Sequence, residues 1–158
     1  MKKINFLAKL AKEKKLELVE PSELIKESYI EKSESNLISA KILLDNNRLE
    51  EAVALTYYSM YHALTALLFK VGVKCENHSA SILLLNKLFS LDNKDISFAK
   101  SERVDKQYYT DFKITKEEVS STLKIAETFN SNLIDFISKI NKSDIAEYRQ
   151  KYIDLIGE

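Results

Sequence analysis

Glycine occurs twice in this chain of 158 residues, proline and cysteine once each, histidine twice and tryptophan not at all. Punctuation this sparse excludes a multi-stranded sheet with its many tight turns and implies long helices joined by short connections. The glycines, at 72 and 157, are too far apart to form a phosphate-cradling loop, which removes nucleotide binding by that route. A lone Cys75 cannot build a disulfide framework and suits a reducing compartment, so a cytoplasmic protein is expected. Charge of one sign is missing too: 24 basic residues face 24 acidic ones, so any attraction to nucleic acid must be local. The N-terminal MKKINFLAKLAKEKKLEL has no continuous apolar stretch and no small-residue cleavage site, and no apolar run reaches the roughly 20 residues that span a bilayer. A soluble protein with no membrane partner is the expectation.

What is present is helical periodicity. Ile4, Leu7, Leu10 and Ala11 form one stripe among lysines, a basic amphipathic helix whose stripe is expected to dock on the rest of the chain; residues 1–20 are read as this N-terminal appendage. Pro21-Ser22 then opens a long helix, with Ile30, Ser33, Leu37, Ala40 and Leu44 on a narrow seam. After Glu50 and Glu51, the run AVALTYYSMYHALTALLF carries no charge and is apolar or aromatic nearly all round, as expected of a helix enclosed by protein. Gly72 stands where a left-handed helix stop belongs, residues 73–77 read as a turn, and Asn77 or Ser79 can cap the next helix. A less regular stretch from Ser90 leads to Thr115, the expected cap of a helix with Val119, Ala126, Leu133 and Ile140 at heptad spacing. A final helix, 143–158, is expected to start on a Ser or Asp cap and carries Ile145, Tyr148, Tyr152 and Leu155 at helical spacing. The fold class is all-α: an up-and-down antiparallel bundle of four to five core helices over residues 21–142, plus the short N-terminal helix.

The chemistry-bearing residues cluster in two places. In YYSMYHALTALLFKVGVKCENHSA, Cys75 and His78 have ligand-like spacing and His62 is a third donor. A helix ending near Val71 places His62 roughly 13 Å back along its axis, while His78 is expected beside the end of that helix and not its middle, so no metal and no cofactor is expected. His62 reads as a neutral core histidine with hydrogen-bonded ring nitrogens, with Tyr58 one turn before it. The second cluster, SERVDKQYYTDF, brings Arg103, Asp105, Lys106, Tyr108, Tyr109 and Asp111 together. Arg and Lys hold phosphate and Tyr stacks on a base, although a solvated turn accounts for the same composition.

Taken in order, EEAVALTYYSMYHALTALLFKVG, ENHSA, ERVDKQYYTDFKITKEEV and IAETFNSNLIDFI resemble the HEPN domains of prokaryotes, in particular the UPF0332 group, over about residues 24 to 140. The resemblance implies a helical bundle that forms a homodimer, often beside a minimal nucleotidyltransferase in a toxin–antitoxin or defence pair. Many such domains are metal-independent ribonucleases with an Arg-x4-6-His motif, His serving as acid or base and Arg steadying the phosphate. Here Arg103 is followed at that spacing by Tyr108, Tyr109 and Thr110, and neither Arg48 nor Arg149 has a His at the required distance. A phenol with a pKa of about 10 is a poor base at neutral pH. The expectation is therefore a module without the standard ribonuclease activity, binding a partner, a nucleotide or RNA through Arg103, Lys106, Tyr108, Tyr109 and Asp111, with His78 and Tyr58 contributing. The alternatives are a ribonuclease toxin with a divergent site of Arg103, Asp105, Tyr108 and His78, and a purely structural scaffold. In some pairs of this kind the transferase adds AMP to a tyrosine near the motif, which makes Tyr108 and Tyr109 candidate acceptors.

Overall fold

The computed structural model describes the backbone over residues 2–108 and 113–157 and side chains over 6–106 and 113–157. Within them run seven helices and one small sheet: α1 (Lys2–Lys12), β1 (Leu16–Leu18), α2 (Glu23–Asp45), α3 (Leu49–Val71), β2 (Val73–Cys75), α4 (His78–Lys87), α5 (Lys94–Tyr108), α6 (Lys116–Ser138) and α7 (Lys142–Gly157). The chain is all-α apart from the two three-residue strands.

Helix α3 is the axis of the molecule. Tyr57, Met60, Ala63, Leu64, Leu67 and Val71 are fully buried, and they meet Leu84, Leu85 and Leu88 around α4, Ala126, Leu133 and Ile137 of α6, and Tyr152 of α7. By length and composition α3 alone among the described residues could cross a membrane, yet 67% of its most apolar window is covered by the rest of the fold. Helix α2 runs antiparallel to it, since Ser22 bonds Phe69 O, Tyr29 stacks on His62 and Ser33 bonds Ser59 O, one number falling as the other rises. Small residues make that approach close: Ser33, Ala40, Ala52, Ser59 and Ala63 are all fully buried. Near the α2–α3 turn, Leu44, Val53, Val119 and Leu123 form a second apolar cluster.

The caps follow the sequence closely. Ser22 accepts from Ile25 N at 3.0 Å, Asn77 from Ala80 N at 2.9 Å and Thr115 from Glu118 N at 3.2 Å. Helix α7 differs from expectation: its cap is Asn141, whose Oδ1 accepts from Asp144 N at 2.8 Å while Asp144 Oδ2 accepts from Asn141 N at 3.0 Å. This reciprocal box satisfies two end donors at once, which a Ser143 cap would not.

The segment expected to be a turn, 73–77, holds a strand. β2 pairs antiparallel with β1 in the register Leu16↔Cys75, Glu17↔Lys74, Leu18↔Val73. α1 ends at Lys12, Lys14 turns the chain with φ 58°, and β1 follows. Leu7, Leu10 and Leu16 thereby enter the main core, each burial stabilising by about 2 kcal/mol.

One junction fastens these pieces. Gly72 stops α3 in the left-handed region, φ 75°, ψ 42°. Arg149 of α7 reaches the same point and donates from Nη1 to Val19 O at 2.8 Å, Val71 O at 2.9 Å and Gly72 O at 3.2 Å. A cation on the last carbonyls of a helix also suits its dipole. A Cβ at position 72 would strike both the Arg149 guanidinium and the Val19 carbonyl.

Gly72→Ala is expected to cost more than 2 kcal/mol, about 1 from the left-handed backbone and the rest from collision; Arg149→Ala is expected to cost about 2 kcal/mol, because part-buried carbonyls lose their donor. The double variant should be less destabilised than the sum, since removing the guanidinium relieves part of the clash. Urea unfolding of the four proteins checks this, and additivity within about 0.5 kcal/mol would refute it.

Candidate ligand-binding site

The β2 strand decides where His78 goes. Five residues from 73 to 77, extended at about 3.3 Å each, climb about 16 Å, which is about eleven residues of helix. The chain that left α3 at Gly72 therefore returns to the level of Tyr61. His78 accordingly lies beside the middle of α3, contrary to the expectation that it would sit at its end. Tyr57 Oη and His78 Nδ1 are 2.8 Å apart, and the Tyr61 ring stacks on the imidazole with centroids 3.8 Å apart and planes at 15°. Tyr58 meets the same ring edge-on at 6.5 Å.

Helix α5 supplies the charge. Residues 94–108 form a regular helix where an irregular stretch was expected. Its polar sequence hid it: among its described side chains only Ile96 and Ala99 are fully buried, so the apolar stripe is short. Arg103 lays its guanidinium carbon 5.5 Å from the Tyr57 centroid and 5.2 Å from that of Tyr58, an arrangement that stabilises by about 0.5–2 kcal/mol. Lys100, one turn earlier on the same face, donates to Ser79 Oγ at 2.7 Å. The α3–α4–α5 corner thus holds Arg103, Lys100 and His78 against a wall of tyrosines.

The titration behaviour follows from this crowding. Burial holds His78 below its ordinary range, and Lys100 and then Arg103 push it further. Lys100 is lowered by burial and by Arg103. Burial raises the Tyr57 phenol well above the usual range, so it stays protonated. The phenol oxygen both donates and accepts, so the 2.8 Å pair is compatible with either tautomer of the neutral ring, and Nε2 faces the corner as an N–H or as a lone pair accordingly.

Deeper on the α2–α3 face, rings continue the wall. Tyr58 stacks on His62 at 6.2 Å, His62 on Tyr29 at 5.7 Å and Tyr29 on Phe69 at 5.7 Å. His62 is neutral, as expected, but not hydrogen-bonded as expected: its Nδ1 is buried with no partner. Burial first, then Lys32 and His78, pushes it down to about 4.

The remaining expected site residues divide. Lys106 turns toward α6, 3.1 Å from Glu118 and donating to Lys113 O at 2.6 Å. Asp105 is half-buried two residues from Arg103, and so on the other side of α5. Tyr108 ends α5, but its side chain, like Tyr109 and Asp111, lies outside the described residues. The structure adds Tyr57, Tyr61 and Lys100, which sequence reasoning passed over; Lys100 and Arg103 three apart were the available signal. Among the described residues no group of three His, Cys, Asp or Glu side chains could hold a metal ion.

A helical bundle with this tyrosine–histidine centre defines a class, and comparison with known proteins specifies it. The HEPN domain model matches residues 26–133. A Methanocaldococcus jannaschii protein named "Putative toxin MJ0605" is 32% identical over 123 residues, covering 73% of this chain and 88% of that one. UPF0332 protein PH1297 of Pyrococcus horikoshii is 37% identical over 84 residues, 53% of this chain and 55% of its own length, and a Thermotoga maritima UPF0332 protein is 34% identical over 67, or 42% and 51%. The chain belongs to the HEPN family.

Protonation of His62 is disfavoured in the folded state, so its folded pKa lies below the unfolded value near 6.5. Stability is therefore expected to hold above pH 6.5 and to fall as pH drops from there toward about 4, because over that interval the unfolded chain takes up a proton that the folded chain does not. His62→Phe keeps the ring stack and should flatten that decline without loss of stability at pH 7. Denaturant midpoints measured from pH 7.5 to 4 test it; an unchanged slope in the variant would count against it.

Proposed function

We propose that this chain is a HEPN-family binding module whose α3–α4–α5 corner takes the phosphate and base of a nucleotide or of single-stranded RNA. The observation that carries the reading is the Arg103 guanidinium lying against Tyr57 and Tyr58 beside His78 and Lys100. Arg and Lys provide charge for phosphate, and the second ring nitrogen of His78 adds a polar contact. Half-buried Tyr58 offers a face on which a base of any identity can stack.

The module works, in this reading, as a homodimer in the cytoplasm beside a nucleotidyltransferase partner in a toxin–antitoxin or defence pair. Support comes from family membership and from the relative named as a toxin. Ile38 and Ile42, one turn apart on α2 and 60% and 57% exposed, offer an apolar strip for self-association. Ribonuclease action is the second reading, favoured by His78 and Arg103 sharing one corner. Against it stands the spacing: Arg103 is followed by Tyr108, Tyr109 and Thr110 where the ribonuclease motif has a His.

Fluorescence anisotropy with a short single-stranded RNA tests the first reading. Arg103→Ala, shown folded by circular dichroism, is expected to lose about tenfold or more in affinity and to lower the salt slope by about one unit; Tyr58→Ala should lose about tenfold with the slope unchanged. Binding indifferent to both would sink the assignment. Metal-free cleavage abolished by His78→Ala would replace it with the second reading.

A further inference from the structure

Helices α4 and α5 lie antiparallel, since Asn93 Nδ2 donates to Ile82 O at 3.0 Å toward one end and Lys100 Nζ donates to Ser79 Oγ at 2.7 Å toward the other. Beside them, with Phe6 of α1 as a further wall, is an open cleft of about 440 Å³. On α5 it is lined by Asn93, Ser97 and Lys100, spaced four and three apart and therefore on one face. Arg103, three residues further, continues that face into the α3–α4–α5 corner. Lys100 and Ser79 belong to the cleft, while their neighbours Arg103 and His78 belong to the corner. Both cations act on His78, so the two spaces adjoin at Lys100. From Ser97 to Arg103 is six residues of helix, about 9 Å, with Lys100 midway. A phosphate held by Lys100 and Arg103 thus has Tyr58 on one flank and the cleft on the other.

The cleft walls are open to a ligand: Ser79 and Ser97 are exposed, and Phe6, Leu83 and Asn93 are half-buried. Its volume falls within the roughly 300–1,000 Å³ of small-molecule sites. Among the described residues lining it, Lys100 is the only charged one, so a second phosphate finds no further partner and a metal ion finds no carboxylate, His or Cys. A wholly apolar guest would cover the two hydroxyls and the amide without replacing their water. One aromatic ring, aliphatic neighbours and neutral polar groups suit a planar, uncharged ring with donors and acceptors on its edge. A nucleobase has that chemistry.

We propose that the α1–α4–α5 cleft holds a second nucleobase, so that the ligand is a single strand of at least two nucleotides. The phosphate between them lies at Lys100 and Arg103, one base on Tyr58 and the other on Phe6. The cleft's role rests on the reading of the corner as a phosphate and base site, and adds to it a minimum length.

NMR titration of the full chain with the dinucleoside monophosphate ApA, and with two analogues each lacking one base, tests this. ApA is expected to bind about tenfold or more tighter than either analogue and to shift amides over 79–83 and 93–97 as well as those of the corner. Phe6→Leu keeps an apolar side chain and removes the ring, and should bring ApA down to the affinity of the analogue that retains only the Tyr58 base. If that variant fails to fold, the analogues and the location of the shifts decide. ApA no tighter than the better analogue, or a gain undiminished in folded Phe6→Leu, would overturn the second base and leave the corner standing. No saturable binding of ApA, or binding indifferent to Arg103→Ala, would remove the corner itself and the second base with it.

Discussion

The end of α3 is the constraint on which the rest of the molecule hangs. A helix buried on nearly every side can terminate only where its last carbonyls find donors, and here Arg149 supplies them from α7. The same guanidinium binds Val19 O just beyond β1. Because Gly72 carries no side chain, helix end, strand end and arginine occupy one small volume. From that point the chain doubles back as β2, and His78 arrives opposite Tyr57 and Tyr61 as a result. The candidate site is thus assembled by a stop and a strand, and not by the helices alone.

Rings and cations share that site for a physical reason. His78 and Lys100 are held toward their neutral forms by burial and by Arg103, while Tyr57 is held protonated. Aromatic faces give the guanidinium a surface that is attractive without being anionic. The corner can therefore keep positive charge half-buried and still present it to an incoming anion.

Much of this was legible in the residues. The heptad positions Val119, Ala126, Leu133 and Ile140 are all buried, and Ser22, Asn77 and Thr115 cap as their chemistry demands. Arg103, His78 and Tyr58 were also recognisable, the last two because they share the only stretch that holds histidine. What periodicity could not reveal was β1 and β2, because three residues are too few to show alternation and their pairing partners lie 55 to 59 positions apart. Missing the strand meant misplacing His78 by about half the length of α3, and with it the roles of Tyr57 and Tyr61. Helix α5 was obscured by its polarity, since a helix that buries little leaves a faint stripe. The Asn141 box escaped because Ser143 and Asp144 looked like caps in their own right.

The two-stranded ribbon has a consequence for how the chain must fold. β1 has no partner until α3 has ended and β2 has extended, so the first eighteen residues wait on a contact more than fifty positions away. Arg149 likewise waits on Val19 and Gly72, at separations of 130 and 77 residues. Both extremities of the described chain therefore close onto a core whose α2–α3 hairpin forms from near neighbours. Loop closure of this kind carries its entropic penalty late and is rewarded only once. The two ends should behave as one cooperative unit, opening together and closing together, while the hairpin between them keeps its own, more local, stability.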